Sequence, residues 1–338
     1  MAKLRAVLIG ATGLAGQQFI AALKNHPFIE LTGLAASPRS AGKSYVDALR
    51  ASNGMTAWFV PEPLPESIAK MKVLSGEELR AQDYDIAFSA VESDVAKELE
   101  PRLARDIPVF SAASAFRYEA DVPLLIPPVN AAHSPLVHAQ RKQRGWKGFI
   151  VPIPNCTTTG LAITLAPLAE RFGVRSVLMT SMQAMSGAGR SPGVIGLDIL
   201  DNVIPYIPKE EEKVQVETKK ILGTLNQSVI APHDVRVSCT CTRVAVLEGH
   251  TESVFVSLDK KASVQEVVAA MREWKRSFEG SGRQVANLSR RIEKVLDVTI
   301  QREVERLANE NPFETEAATE STDKTHLNPP PERLGGDH

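Results

Sequence analysis

Cys156 is the residue of this sequence best placed to act as a nucleophile. It stands in Ile153-Pro-Asn155-Cys156-Thr-Thr-Thr-Gly160, a polar run at what reads as a strand-to-helix junction. A lone cysteine is ordinarily a small core residue, but no apolar stretch surrounds this one. The start of a helix presents unpaired N–H groups that favour an anion, so a thiol there is expected to have a lowered pKa. A thiolate nucleophile also needs a partner that moves protons, most often histidine. His250, in Glu248-Gly249-His250-Thr251-Glu252, falls in a loop between two predicted strands, and spacing leaves it level with His233. Arg243, shortly before it, can hold a carboxylate through two parallel N–H bonds. Cys239 and Cys241 share one face of a predicted strand, without the further cysteine or paired histidines that a metal needs. They read as core residues, and no metal site is expected.

A second constellation lies near the N-terminal end. Gly10-Ala11-Thr12-Gly13-Leu14-Ala15-Gly16 follows an apolar strand and opens a helix. Glycines in that context let backbone N–H groups approach a pyrophosphate at a helix N-terminus. The end of the second strand bears on which nucleotide binds. A site for NAD usually has an acidic residue there to bind the ribose 2′-hydroxyl. Here Glu30 begins the strand, whereas its end carries Ser37, Arg39 and Ser40 with Lys43 close behind. Two hydroxyls and a guanidinium without a carboxylate suit a 2′-phosphate, so NADP(H) is the expected cofactor.

The elements that must position these groups follow from the apolar pattern. Strands are predicted at 6–9, 29–36, 86–90 and 109–111, with a helix over 14–25. Strands alternating with helical stretches predict a parallel Rossmann-type sheet. From about residue 155 the pattern changes to strand-like runs at 174–184, 235–246 and 254–258. Alternation at Val235, Val237, Cys239 and Cys241 predicts a half-buried antiparallel strand. Ser263 and Glu266 have capping-box spacing, and apolar residues at 264, 267, 268, 271, 274 and 278 form a helical stripe. The fold expected is α/β: a nucleotide-binding domain over 1–154, then an α+β catalytic and dimerisation domain with a mixed sheet over 155–284. A charged helical segment follows over 285–309. Residues 310–338, rich in Asn, Glu, Thr and Pro, read as a disordered tail.

Composition narrows the function classes. With 338 residues, 43% hydrophobic and 23% charged, the chain is large enough for two ordinary domains. A formal net charge of −1 offers no general attraction to nucleic acid or to an anionic membrane. No apolar run reaches the roughly 18 residues of a spanning helix. The first apolar stretch runs into a glycine turn and not a cleavage site, and three cysteines form no disulfide framework, so a cytoplasmic protein is expected.

The motifs together resemble the aspartate-β-semialdehyde dehydrogenase family, in its archaeal and fungal branch. The resemblance is carried by the glycine turn 10–16, by Pro-Asn-Cys156-Thr-Thr-Thr-Gly and by Arg243-Val-Ala-Val-Leu-Glu-Gly-His250-Thr-Glu. Residues 35–43, Phe116-Arg117 with 121–127, Ser186-Gly187-Ala188-Gly189 and 202–213 extend it in order. The resemblance implies NADPH-dependent reductive dephosphorylation of L-4-aspartyl phosphate to L-aspartate 4-semialdehyde, within threonine, methionine and lysine biosynthesis. It implies that Cys156 attacks the acyl carbon and expels phosphate, and that His250 shuttles the proton. Arg243 would hold the substrate α-carboxylate and Glu210 the α-ammonium. Arg117 and Lys213 would bind phosphate, with Asn155 the polar group beside the nucleophile. Ser186, Gly187 and Gly189 would complete a nucleotide site with Gly10, Thr12, Gly13, Leu14, Ala15, Gly16, Ser37, Arg39 and Ser40. A homodimer or homotetramer is implied.

Ala112, Pro128 and Ala245 depart from the residues common in that family, and the final strand and helix expected after 278 are not recognisable. Two rival readings follow: an acyl-CoA reductase of the malonyl-CoA type from the same branch, and a weakly active or non-catalytic paralogue of low stability.

Overall fold

A computed structural model describes residues 2–189 and 198–274. These fall within one compact unit, Met1–Phe278. The expectations for 285–309 and 310–338, and for residue 278 of the apolar stripe, lie outside the described residues.

Six parallel strands form the first sheet: β1 (Leu4–Ile9), β2 (Ile29–Ala35), β3 (Val73–Leu74), β4 (Ile86–Ser89), β5 (Val109–Ser111) and β6 (Ile150–Pro152). Their order is β3-β2-β1-β4-β5-β6. Side chains alternate across a strand, and both faces of this sheet are covered. Val7 and Ile9 pack with Ala87, Val109, Leu99 and Leu103 on one side, while Leu8 packs with Leu34, Ile20 and Tyr45 on the other. Continuous apolar runs such as Ala6-Val-Leu-Ile9 are the outcome. β3 and β6, two and three residues long, were not predicted from the sequence. Strand order reverses at β1, which pairs with β2 on one side and β4 on the other. Ligands of such sheets bind in the crevice beyond the carboxyl ends at that point.

The second sheet begins with β7 (Val174–Gln183). A small hairpin of β8 (Thr224–Asn226) and β9 (Val229–Ala231) stands apart, followed by β10 (Arg236–Arg243) and β11 (Thr251–Leu258). The sheet order is β10-β7-β11. β10 runs parallel to β7, in register from Arg236↔Ser176 to Arg243↔Gln183, and not antiparallel as its alternation had suggested. Alternation reports only that one face is covered; it carries no information about strand direction. β11 is antiparallel to β7. On the covered face Val177, Met179, Cys239 and Cys241 pack against Leu161, Leu165, Leu168 and Phe172 of the helix Cys156–Phe172. The helix Val264–Glu273 is capped as expected: the Ser263 side chain accepts from the Glu266 N–H, and Glu266 Oε2 accepts from the Ser263 N–H at 2.7 Å. It packs on the helix Cys156–Phe172, with Val267, Ala270 and Met271 joining the shared apolar cluster while Val264 stays exposed. Among the described residues no helix is long and apolar enough to cross a membrane.

The turn between β1 and the helix Leu14–Leu23 is closed tightly by glycine. A Cβ on Gly16 would lie 2.3 Å from the Gly10 carbonyl oxygen and 2.8 Å from the Ala11 Cα, both main-chain atoms that cannot step aside. Gly16→Ala is therefore expected to lower stability by about 1–3 kcal/mol, seen as an earlier urea midpoint with an unchanged slope.

Candidate active site

Cys156 is the first residue of its helix, and Asn155 caps it, accepting the Thr158 N–H on Oδ1 at 3.1 Å. The Cys156 Sγ lies 3.1 Å from His250 Nε2. The other ring nitrogen, Nδ1, faces the Ala184 N–H at 3.1 Å, which can only donate. A neutral imidazole held this way carries its proton on Nε2, against the sulfur. The alternative, His233, accepts the Val235 N–H and lines a different cavity with His133, so the geometry chooses His250.

The thiol does not behave as the helix start alone predicts. Although the Cys156 side chain is solvent-exposed, desolvation by the protein atoms around it, and after it the Glu210 charge, push its pKa up, and hydrogen bonds at the helix start do not offset them. Burial and then the Arg243 charge push His250 below the usual imidazole value. Both shifts favour the uncharged forms, a thiol beside an imidazole.

Around this pair the second sheet delivers its strand ends. β7 ends at Gln183, β10 ends at Arg243 and β11 begins one residue after His250. Arg243 is only 5% exposed; Nη1 donates to the Ala184 carbonyl at 2.8 Å, and no carboxylate among the described residues forms an ion pair with it. Glu210 begins the helix Glu210–Ile221 and accepts from Asn155 Nδ2 at 2.7 Å, Lys213 Nζ at 3.0 Å and Gln183 Nε2 at 3.2 Å. Burial opposes its charge, but hydrogen bonds from Asn155 and Lys213 win and hold its pKa low. Arg117 donates from Nη1 to Glu217 at 3.0 Å and from Nη2 to the Ala112 carbonyl at 3.1 Å, leaving Nε unpartnered. Sequence reading missed Gln183 and Glu217. Gln183 had a signal, as the fourth inward position of β7 counting from Val177, where an apolar residue would be expected; Glu217 had none.

The nucleotide end meets this site in a single cavity of about 750 Å³, lined by Ala15 of the glycine turn as well as Cys156, Arg117, Lys213, Glu210 and Arg243. Gly10 has φ +78°, and a Cβ there would sit 2.2 Å from the Ala90 carbonyl oxygen. Gly13 caps the following helix without any side-chain bond, so the N–H groups at Leu14, Ala15 and Gly16 remain open to an anion. Thr12 is half-buried in the same turn. Ser37 and Arg39 are exposed past the end of β2, whereas Ser40 is buried in that loop. The Ser186–Gly189 turn lies between the two ends. A Cβ on Gly187 would crowd His250 Cε1 at 2.9 Å and Arg243 Nη1 at 3.0 Å, while one on Gly189 would lie 3.9 Å from Leu14 Cδ1. The Ser186 N–H is held by the Leu247 carbonyl.

A parallel sheet in this order, a glycine turn at its switch point and a mixed sheet joined at one cavity define a nicotinamide-nucleotide oxidoreductase. Residues 5–135 match the semialdehyde dehydrogenase NAD binding domain, and residues 165–315 match the semialdehyde dehydrogenase dimerisation domain. The aspartate-semialdehyde dehydrogenase of Methanothermobacter thermautotrophicus is 44% identical over 268 residues, 79% of this chain and 75% of that protein. That of Archaeoglobus fulgidus is 47% identical over 269 residues, 79% of this chain and 76% of that protein. The crystal structure of the Candida albicans enzyme with NADP superposes with a TM-score of 0.72 at 38% identity, covering 82% of this chain and 78% of that one. The chain belongs to the aspartate-semialdehyde dehydrogenase family.

A neutral resting thiol has a direct signature. Alkylation of Cys156 by iodoacetamide is expected to keep accelerating as pH rises past the ordinary thiol pKa of about 8.5. Glu210→Gln, which removes a charge that raises that pKa, is expected to move the curve to lower pH. A rate already constant at neutral pH would instead reveal a resting thiolate–imidazolium pair.

Proposed function

We propose that this enzyme is an NADP-dependent aspartate-semialdehyde dehydrogenase that converts L-4-aspartyl phosphate to L-aspartate 4-semialdehyde through a thioester on Cys156. The observation that carries this reading is the convergence on one cavity of Cys156, whose sulfur is paired with His250, and a buried arginine without a carboxylate partner. A buried guanidinium is costly unless a charge meets it, and a substrate α-carboxylate is the matching group. Glu210, kept ionised beside it, suits the α-ammonium. That pairing favours an amino-acid substrate over a CoA ester. Arg117, with Nε unpartnered, and Lys213 suit the phosphoryl group at the other end.

The chemistry follows from these positions. The Cys156 thiolate attacks the acyl carbon; a C–S bond forms, the bond to the phosphate oxygen breaks, and inorganic phosphate leaves. When bound, the reduced nicotinamide supplies the hydride that takes the thioester to the aldehyde level. Arg243 and Glu210 hold the amino-acid end so that the acyl carbon stays over the sulfur. The thiol proton leaves to solvent before the attack, and His250, with its proton on Nε2, donates a hydrogen bond to the thiolate both as it forms and as the C–S bond breaks, after which the released sulfur regains a proton from solvent. The residues fit the nucleotide: the uncapped helix start beyond Gly13 suits its pyrophosphate, and Ser37 and Arg39, with no acid beside them, suit a 2′-phosphate.

The second sheet supports a homodimer. Its outer face exposes Leu178 by 57% and Phe255 by 66%, side by side in register across β7 and β11. A second copy laid on that face would remove both from water.

Three measurements test the reading. Purified protein mixed with aspartate semialdehyde, phosphate and NADP is expected to generate the reduced-nicotinamide absorbance, and Cys156→Ala to abolish it. Arg39→Ala is expected to raise the KM for NADP about ten- to a hundredfold, the worth of one charge-assisted hydrogen bond, with little effect on NAD. In light scattering the chain is expected to run as a dimer and Phe255→Glu as a monomer.

A further inference from the structure

Glu217 has no exposure to water, yet it lies outside the cavity's lining. Its two oxygens serve opposite ends of the site. Oε1 accepts from Arg117 Nη1 at 3.0 Å and from the Tyr118 hydroxyl at 3.3 Å. Oε2 accepts from the main-chain N–H of Asn155 at 2.7 Å. Asn155 is the residue that caps the cysteine helix and donates to Glu210. One carboxylate thus joins the arginine that follows β5 to the cap that sets the thiol. We propose that Glu217 is a positioning residue that orients the phosphate-side guanidinium and the nucleophile together; the phosphate half of this inference rests on the function proposed above.

The chemistry of the donors explains why a carboxylate is required. Both ends present only N–H and O–H groups, so the bridging group must accept on both sides. A glutamine of the same size keeps one acceptor and turns the other atom into a donor, which must face either Arg117 or the Asn155 N–H. One end of the bridge is then lost, with an unpaired donor buried. The main chain around Arg117 is held independently: Lys220 Nζ, on the same helix as Glu217, donates to the carbonyls of Arg117 and Glu119 at 2.8 Å each. Glu217 therefore governs where the Arg117 side chain points, and Lys220 governs where its backbone lies.

The test compares wild type with Glu217→Gln in the full chain, by two readouts. The KM for inorganic phosphate in semialdehyde oxidation is expected to rise about tenfold or more, the cost of a misdirected charge-assisted bond. Iodoacetamide alkylation of Cys156 at neutral pH is expected to slow about threefold or more, as the loosened cap draws the thiol away from His250. A merely structural role would lower kcat through fewer folded molecules while leaving the phosphate KM and the alkylation rate of the folded fraction at wild-type values; that result overturns the proposal. If Glu217→Gln does not fold, Tyr118→Phe removes a single bond to Oε1 at a half-exposed residue, and an unchanged phosphate KM in that variant overturns it. Absence of phosphate-dependent turnover in wild type would overturn the proposed function instead, and the alkylation comparison would still decide whether Glu217 sets the thiol.

Discussion

A carboxylate withdrawn from water must be met inside the protein by positive charge and hydrogen-bond donors, because its desolvation otherwise costs several kcal/mol. Two such groups, Glu210 and Glu217, stand on one face of the helix Glu210–Ile221, and most polar groups of the site are arranged to meet them. Glu210 draws in Asn155, Gln183 and Lys213; Glu217 draws in Arg117, Tyr118 and the Asn155 main chain. Asn155 is common to both. The residue immediately before Cys156 is therefore fixed through its side chain by one acid and through its backbone by the other, and Cys156 inherits that position.

The same arrangement decides the electrostatics. Lys213 compensates Glu210 and Arg117 pairs with Glu217, which leaves Arg243 as the buried cation with no ion-pair partner among the described residues. Its spare charge lowers the His250 pKa and is available to an anion. The cost of this layout falls on the thiol, whose ionisation is opposed by burial and by Glu210. A cation placed on Glu210 would relieve part of that opposition.

Local signals in the chain were enough for the parts whose geometry is set by neighbours in sequence. The glycine turn at 10–16 needs a positive φ and close main-chain contacts within a few residues, and Gly10 and Gly16 declare both. The Ser263–Glu266 box spans three residues and is where its spacing placed it. The motif order also sufficed for the family. The short strands β3 and β6 were not read from the sequence.

Tertiary structure alone decided how those pieces meet. Whether β10 runs parallel or antiparallel to β7 is invisible in its alternation, because side-chain period is the same in both. Parallel register sets Arg243 opposite Gln183 at the catalytic edge; the reverse direction would carry it to the far end of the sheet. The choice of His250 over His233 rests on a contact between residues 94 apart, and the Arg117–Glu217 pair on one spanning 100. The thiol pKa moved against the expectation from its helix start because burial and a charge from another helix outweigh a local effect. Which residue types could do chemistry was written in the sequence, whereas their charges and partners came from atoms brought together by folding, since desolvation and Coulomb terms depend on distance in space and not along the chain.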